Sequence, residues 1–250
     1  MEKKNSYFLY CEKRNKLFCH IEKNGCESIR YLILNEENHE NPQNIWNEHI
    51  NKYFYTDENI YKLQEKNPNV ILISRDPYSR IISGFNDKVL GDNFNYFSYS
   101  QKIMNLNNND ITKRINFEEF INYIVEDDIY NIDNHFKPQY IWFNQIKIFK
   151  NIKIFKLEDT SEINFYLKQL NFNHILENYL DKYYYSDNYR GNKLLKKDIP
   201  YADKLSYDIF KKDLINNNFI PLKINYFNDN LKKKFINKYK EDFDIFNYSI

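Results

Sequence analysis

The stretch from Leu17 to Leu34, LFCHIEKNGCESIRYLIL, decides the fold because it changes from one kind of regular structure to another around a single glycine. Its first five residues form a short apolar run that predicts a buried strand. From Ser28 to Leu34 the apolar residues recur at helical spacing, which predicts a helix. The order strand, glycine loop, helix directs the first N–H groups of the helix into the loop, where an anion can be held.

Glycine is scarce elsewhere in the chain, which makes its presence in this loop informative. The sequence has four glycines, whereas average usage would give roughly 17 in a chain of this length. A chain this poor in glycine is expected to keep one where the backbone needs a positive φ or a close approach to a ligand. Gly25 is therefore expected to shape the loop that precedes the first helix.

A second junction between a strand and a helix follows later in the chain. The run Val70 to Ile73 (VILI) is long enough for a central parallel strand, and Arg75, Asp76 and Pro77 follow it closely. Asp76 suits a helix N-cap and Pro77 the first helical position, so a helix should begin here. One face of that helix is apolar, and the opposite face is predicted to offer hydroxyls and a guanidinium, from Ser79, Arg80 and Ser83.

Further strands and helices alternate along the rest of the chain. The periodicity predicts a strand over Ile152 to Leu157 and helices over Asn116 to Val125, over Thr160 to Leu170 with Thr160 as cap, and over Asn230 to Tyr248. The tyrosine-rich stretch from Asp181 to Tyr201 is interpreted as a loop or lid. This alternation predicts an α/β fold with a central, mainly parallel sheet flanked by helices.

Composition limits the number of domains and the classes of partner. The 250 residues are enough for one sizeable core but too few for two ordinary domains with a linker, so we expect a single domain over residues 1–250. The 36 Lys and Arg residues against 35 Asp and Glu give a net charge of +1. Because that balance provides no broad positive field, no nucleic-acid partner is expected and any anion site must be local.

The cysteines and the hydropathy pattern indicate the cellular compartment of the protein. Cys11, Cys19 and Cys26 are spaced as neither a disulfide framework nor a structural zinc site requires. No stretch reaches the roughly 18 apolar residues that a membrane span needs. We therefore expect a soluble, cytoplasmic protein without a metal or a membrane span, and the oligomeric state is left open.

Two anion-binding segments at strand-to-helix junctions would suit a nucleotide with two separated phosphate groups. The pattern resembles the sulfotransferases that use 3′-phosphoadenosine 5′-phosphosulfate (PAPS), and more closely the carbohydrate sulfotransferases of the chondroitin type, family 2. The first family motif, P-K-x-G/A-C-T/S-x-x-K/R, is similar to Glu22-Lys23-Asn24-Gly25-Cys26-Glu27-Ser28-Ile29-Arg30. The second, R-D-P-x-x-R-x-x-S, is matched in full by Arg75, Asp76, Pro77, Arg80 and Ser83.

Three later segments extend the resemblance over residues 17 to 249, nearly the whole chain. The segment from Asn134 to Gln139 (NHFKPQ) resembles N-x-H-W-x-P/V-Q, with Phe136 where Trp is usual. The segment from Phe155 to Glu158 (FKLE) resembles a later F-x-G-K-x-E strand, and the ending from Tyr239 to Tyr248 resembles Y-x-x-D-F-x-x-F-G-Y. The resemblance implies a P-loop-like sulfotransferase fold.

The resemblance also implies roles for individual residues. Sulfuryl transfer moves a planar group in line between two oxygens, so catalysis consists mainly of positioning and charge stabilisation and demands no metal. Lys23 would neutralise the bridging and leaving oxygens, and Arg75 with Ser83 would hold the 3′-phosphate. The residues implied to bind the co-substrate PAPS are Lys23, Asn24, Gly25, Cys26, Glu27, Ser28, Arg30, Arg75 and Ser83.

The acceptor hydroxyl needs a base, for which histidine is the first candidate. His135 is favoured because it belongs to a matched segment, and His49 is the alternative. His20 lies inside the first predicted strand and is interpreted as buried scaffold. A carbohydrate or glycan is the implied acceptor, and aromatic residues that could line its cleft, unless their presence only reflects composition, are Tyr184, Tyr185 and Tyr189, with Arg190 beside them.

Two other functions compete with this interpretation. A P-loop kinase would need G-x-x-x-x-G-K-[ST], but the first loop holds one glycine and Lys23 precedes it. A sulfotransferase-fold protein that binds a nucleotide, a glycan or a partner without transferring sulfate is the stronger alternative. Glu27 favours that alternative because it stands where the family has Thr or Ser, and a carboxylate there would repel the 5′-phosphosulfate unless it turns outward to cap the helix.

Overall fold

The computed structural model describes residues 7–38, 53–89, 115–129, 131–172, 188–189, 192–193, 195–205 and 219–250. The chain divides into two compact units, which are described separately. Unit 1 comprises Met1–Asp76, Ile129–Tyr183 and Asp244–Ser249, and unit 2 comprises Pro77–Asp128, Tyr184–Phe243 and Ile250. The described residues form six α-helices: α1 (Cys26–Glu36), α2 (Pro77–Gly84), α3 (Phe117–Glu126), α4 (Tyr140–Ile146), α5 (Thr160–Gln169) and α6 (Asp229–Phe246).

Unit 1 is built on a five-stranded sheet in the order β3-β1-β2-β4-β5. Its strands are β1 (Tyr7–Cys11), β2 (Lys16–His20), β3 (Phe54–Thr56), β4 (Asn69–Ser74) and β5 (Ile152–Lys156). Strands β2, β4 and β5 are parallel, whereas β1 is antiparallel to both β2 and β3. The α/β fold class is confirmed, and the sheet is mixed because β1 joins β2 through a tight hairpin in which Asn15 has a φ of 48°.

Strand β4 lies at the centre of the parallel part of the sheet, as the apolar run predicts. It pairs with β2 on one side and β5 on the other, and its residues from Val70 to Ser74 are buried. Alternate side chains enter two separate cores because successive residues of a strand point to opposite faces. Ile71 and Ile73 pack with α1 and α5, whereas Val70 and Leu72 pack with α4. Unit 1 is therefore a three-layer sandwich with its functional loops at the ends of its strands.

The predicted cap of α5 is wrong by one residue. The side chain of Asp159, not Thr160, accepts the hydrogen bond from the N–H of Glu162, at 3.1 Å. Thr160 is the first helical residue, and its hydroxyl donates to the carbonyl of Leu157 at 3.2 Å. Asp ranks above Thr as an N-cap, so Asp159 was the better of the two adjacent candidates in the sequence.

Unit 2 holds α2, α3 and most of α6 around an aromatic core. Helix α2 begins at Pro77 as predicted and continues as a π-helical turn over Phe85–Val89. Four short strands complete the unit: β6 (Asn188–Tyr189) antiparallel to β7 (Asn192–Lys193), and β8 (Leu195–Lys197) parallel to β9 (Phe219–Pro221). The stretch predicted as a lid lies largely outside the described residues.

The predicted polar face of α2 is not open to solvent. Arg80 is 1% exposed and Ser83 is 7% exposed. Almost the whole circumference of α2 is enclosed, because only Ser79 among its residues is not buried. The guanidinium of Arg80 is therefore part of the packing of unit 2 and not a solvent-facing group.

Across the described ranges, no helix is both long enough and apolar enough to traverse a bilayer.

Candidate functional site

The first loop, residues 21–25, connects β2 to α1 and contains two residues in the left-handed region. Lys23 has a φ of 69°, and Gly25, the N-cap of α1, has a φ of 77°. Glycine accepts that conformation without cost, whereas a residue with a side chain pays about 1–2 kcal/mol for it. No side chain caps α1. The N–H groups of its first turn, which have no partner within the helix, are therefore directed at the loop as in an anion site.

The second segment, residues 74–76, begins with the last residue of β4 and is hydrogen-bonded to the first loop. The Nη1 atom of Arg75 donates to the carbonyl of Lys23 at 2.8 Å. The side-chain amide of Asn24 donates to the carbonyl of Ile73 at 2.8 Å. The neighbouring parallel strands β2 and β4 end at the same edge of the sheet, and these contacts hold their two motifs together there.

Gln139, at the end of the segment that precedes α4, contacts both motifs. Its Oε1 atom accepts from the N–H of Arg75 at 2.9 Å and from the Asn24 amide at 2.5 Å. Its Nε2 atom donates to the carbonyl of Arg75 at 2.8 Å. The Gln139 side chain is fully buried. In the sequence, the only signal for this residue was its place in the matched NHFKPQ segment.

Glu158 and Tyr248 contact the two end residues of the second segment, Asp76 and Ser74 respectively. One carboxylate oxygen of Glu158 accepts from the N–H of Asp76, and the other accepts from the Tyr248 hydroxyl, both at 2.9 Å. The same hydroxyl lies 3.2 Å from the Ser74 hydroxyl. Burial raises the pKa of Tyr248, which keeps its hydroxyl protonated as a donor. The later family-like segments thus converge on residues 74–76.

Several residues implied to bind PAPS have side chains that are turned into the protein. Asn24 is 1% exposed and Ser28 is 2% exposed. Burial raises the pKa of Cys26, with a further contribution from the charge of Glu22, which keeps this thiol neutral. The backbone is therefore the part of residues 24–28 that suits an anion best. Cys26, Glu27 and Arg30 are half-buried: Glu27 lies in the first turn of α1, and the Arg30 guanidinium lies 5.4 Å from the Phe54 ring centre.

His135 is oriented by a neighbouring carboxylate. Its Nδ1 atom lies 2.6 Å from Oδ1 of Asp133, and the same oxygen accepts from the His135 backbone N–H at 3.0 Å. The contact favours a proton on Nδ1, which makes Nε2 the basic nitrogen. Both side chains are 20% exposed. His135 is therefore a buttressed histidine with partial access to solvent, as a general base requires.

His20 is buried, as predicted, at the end of β2. It is 1% exposed, and neither ring nitrogen has a hydrogen-bond partner within the described ranges. The Glu22 carboxylate lies 3.9 Å from its Nδ1 atom. Burial nevertheless lowers the pKa of His20 well below its ordinary value of 6.5, and the charges of Arg30 and His135 lower it further. His20 is therefore neutral in the folded protein.

The remaining predicted site residues are not brought to these loops by any described contact. Ser83 lies on α2 in unit 2 and is buried. His49, Tyr184, Tyr185 and Arg190 lie outside the described residues, and only the backbone of Tyr189 is described, in β6. No group of three or more potential metal ligands occurs in the described portions of the chain.

The sequence comparisons bear on the family of this chain. A family model described as the sulfotransferase family matches residues 6–249, nearly the whole chain. Comparisons with curated proteins and with solved structures gave no match. The family match does not select the chondroitin-type branch. It does span the first loop, the second segment, Gln139 and Glu158, and the chain belongs to the sulfotransferase family.

Proposed function

We propose that this protein transfers the sulfuryl group of PAPS to a hydroxyl of a carbohydrate or glycan acceptor. The observation that carries the proposal is the 2.8 Å hydrogen bond from Arg75 to the carbonyl of Lys23. It joins the two motifs that a nucleotide with separate 5′ and 3′ phosphate groups would need at one strand edge. The carbohydrate acceptor is supported by the sequence resemblance to the chondroitin-type branch.

The groups at the first loop and at Arg75 suit such a donor. PAPS, when bound, supplies an activated sulfuryl group attached through its 5′-phosphate. The uncapped N-terminus of α1 offers backbone N–H groups, and Lys23 offers a positive charge in the adjoining loop. Arg75 offers a planar guanidinium suited to a phosphate. Ser83 as its partner at the 3′-phosphate is a proposal that rests on the second motif.

His135 is the proposed general base, oriented by Asp133. Nε2 would take the proton of the acceptor hydroxyl while that oxygen bonds to sulfur and the bond from sulfur to the leaving phosphate oxygen breaks. Lys23 would stabilise the charge that develops on that leaving oxygen. No change in oxidation state is required, and the proton ends on the imidazole.

The test of the proposed function is acceptor-dependent release of 3′-phosphoadenosine 5′-phosphate (PAP) from PAPS. Desulfated glycosaminoglycans, sugar nucleotides and lipid-linked glycans are supplied in turn, with Arg75→Ala as the control for background hydrolysis. We expect release to rise with at least one of these acceptors. If the protein binds PAP tightly but forms no PAP from PAPS with any acceptor, it is instead a sulfotransferase-fold protein that binds without transferring sulfate.

The base is tested by comparing His135→Ala with His49→Ala. We expect His135→Ala to lower the transfer rate by about 100-fold or more while PAP affinity stays near that of the wild type. His49→Ala is expected to retain transfer. The opposite pattern would assign the base to His49, and full activity of both variants would mean that the base is a carboxylate or that the acceptor needs none.

The proposed site of action is the cytoplasm. Its support is that all three cysteines, Cys11, Cys19 and Cys26, are unpaired, as is usual in a reducing compartment. Localisation of a tagged protein by cell fractionation tests this proposal, and recovery from an oxidising compartment would contradict it.

A further inference from the structure

The side-chain amide of Gln139 joins two segments that the chain separates by about fifty residues. Its oxygen accepts one hydrogen bond from each segment, through Asn24 and through Arg75. Its nitrogen donates to the carbonyl of the same Arg75. An amide can accept and donate in this way, whereas an ionised carboxylate has no proton to give and an ammonium has no acceptor.

These contacts form a closed ring. The guanidinium of Arg75 closes the ring, because it donates to the carbonyl of Lys23, and Lys23 is bonded covalently to Asn24. The first loop and the second segment therefore cannot separate without breaking hydrogen bonds, and the bond between Asn24 and Gln139 is buried. The ring also includes the carbonyl of Lys23, a residue in the left-handed conformation.

We infer that Gln139 is a positioning residue for the donor site: its amide holds the first loop and Arg75 at the fixed separation that a nucleotide with 5′ and 3′ phosphates requires. It acts through Asn24 and Arg75 and touches no substrate. Its consequence for nucleotide binding rests on the proposed function. Its consequence for the conformation of the first loop rests on the hydrogen-bonded ring alone. The two consequences are measured separately.

The test compares Gln139→Met with Gln145→Met. Both changes replace an amide by an apolar side chain of similar length, and Gln145 hydrogen-bonds only to Asp57 among the contacts described, at 3.2 Å. We expect Gln139→Met to weaken PAP binding by about tenfold or more at a temperature where its circular dichroism spectrum is native, and Gln145→Met by less than about twofold. Equal PAP affinity in Gln139→Met and the wild type would overturn the inference.

A double-mutant cycle separates positioning from general destabilisation. Arg75→Ala leaves the backbone contacts of Gln139 in place but removes the guanidinium that they position, so Gln139→Met should cost less PAP affinity when added to Arg75→Ala than when made alone. Full additivity of the two losses would show that Gln139 acts independently of Arg75, and the inference would fail. If Gln139→Met does not fold, the same cycle is run with Gln139→Asn, which keeps the amide but shortens its reach.

Amide hydrogen exchange provides a readout that needs no ligand. Gln139→Met should accelerate exchange in the peptide that covers residues 21–28, while Gln145→Met leaves that peptide unchanged. A wild-type protein that fails to bind PAP would refute the proposed function, and exchange would still decide whether Gln139 holds the loop. Unchanged exchange in Gln139→Met would overturn the positioning role by itself.

Discussion

The first loop and the second segment end neighbouring parallel strands, yet their conformations have different origins. The first loop is shaped largely by its own backbone, with Lys23 and Gly25 in the left-handed region. The second segment is held by side chains from distant parts of the chain, Gln139 at Arg75 and Glu158 at Asp76. Local sequence therefore encodes the conformation of the first loop, whereas tertiary contacts attach that loop through Asn24 and hold the second segment.

The largest effect is expected from Lys23, which gives the first loop its positive charge. Lys23→Ala should lower the transfer rate by about 100-fold to 1,000-fold and should weaken PAP binding much less, because the ammonium acts mainly on charge that develops in the transition state. Single-turnover rates and PAP titration measure the two losses. Equal losses in both would make Lys23 a binding residue.

A matched variant isolates the backbone contribution of the same position. Lys23→Gly removes the charge as Lys23→Ala does, but it also relieves the left-handed strain of the loop. We expect Lys23→Gly to be about 1 kcal/mol more stable than Lys23→Ala in denaturant unfolding. Equal stability would contradict a loop whose backbone is strained.

The second segment is tested by Arg75→Ala. This change removes the contact with the Lys23 carbonyl and the charge proposed for the 3′-phosphate. We expect PAP affinity to fall by about 100-fold, since deleting one partner of a charged hydrogen bond costs roughly 1.5–3 kcal/mol. Arg75→Lys, which keeps the charge but loses the planar fork, should recover only part of the loss. Unchanged affinity in Arg75→Ala would remove this residue from the donor site.

Much of the first loop could be predicted from the sequence because its signals are local. The apolar run of β2, the scarcity of glycine and the helical spacing after Ser28 mark it directly, and the Asp-Pro pair marks the start of α2. The contacts of Gln139, Glu158 and Tyr248 could not be predicted, because residues far apart in the chain meet only after the sheet and its helices have packed. The antiparallel strand β1 was missed for a different reason, since it joins β2 through a tight turn over residues 12–15 that contains no glycine or proline.

A smaller effect is expected at His20, which ends the strand before the first loop. Its pKa lies below the ordinary 6.5 in the folded protein, so on acidification the unfolded chain takes up a proton that the folded chain does not. Stability should therefore fall as the pH drops below about 6.5, by at most about 1.4 kcal/mol per pH unit from this residue. His20→Leu should flatten that fall in urea unfolding between about pH 7 and pH 5. An unaltered pH profile would mean that His20 is not held neutral.

The smallest effect is expected at Glu27, in the first turn of α1. A carboxylate there is favourable to the helix if it turns away from the loop. Glu27→Thr should then change PAP affinity by less than about threefold in a calorimetric titration. A gain of about tenfold or more would show that the native carboxylate obstructs the 5′ side and would favour the non-catalytic alternative.

The most direct test of the account is whether the first loop and the second segment together bind one nucleotide with two phosphate groups. Calorimetric titration of the wild-type protein compares PAP with adenosine 5′-monophosphate, which lacks the 3′-phosphate. We predict saturable binding of PAP at one site per chain, at least about tenfold tighter than binding of the monophosphate, with the difference abolished in Arg75→Ala. Equal affinity for the two nucleotides, or no binding of PAP, would contradict it.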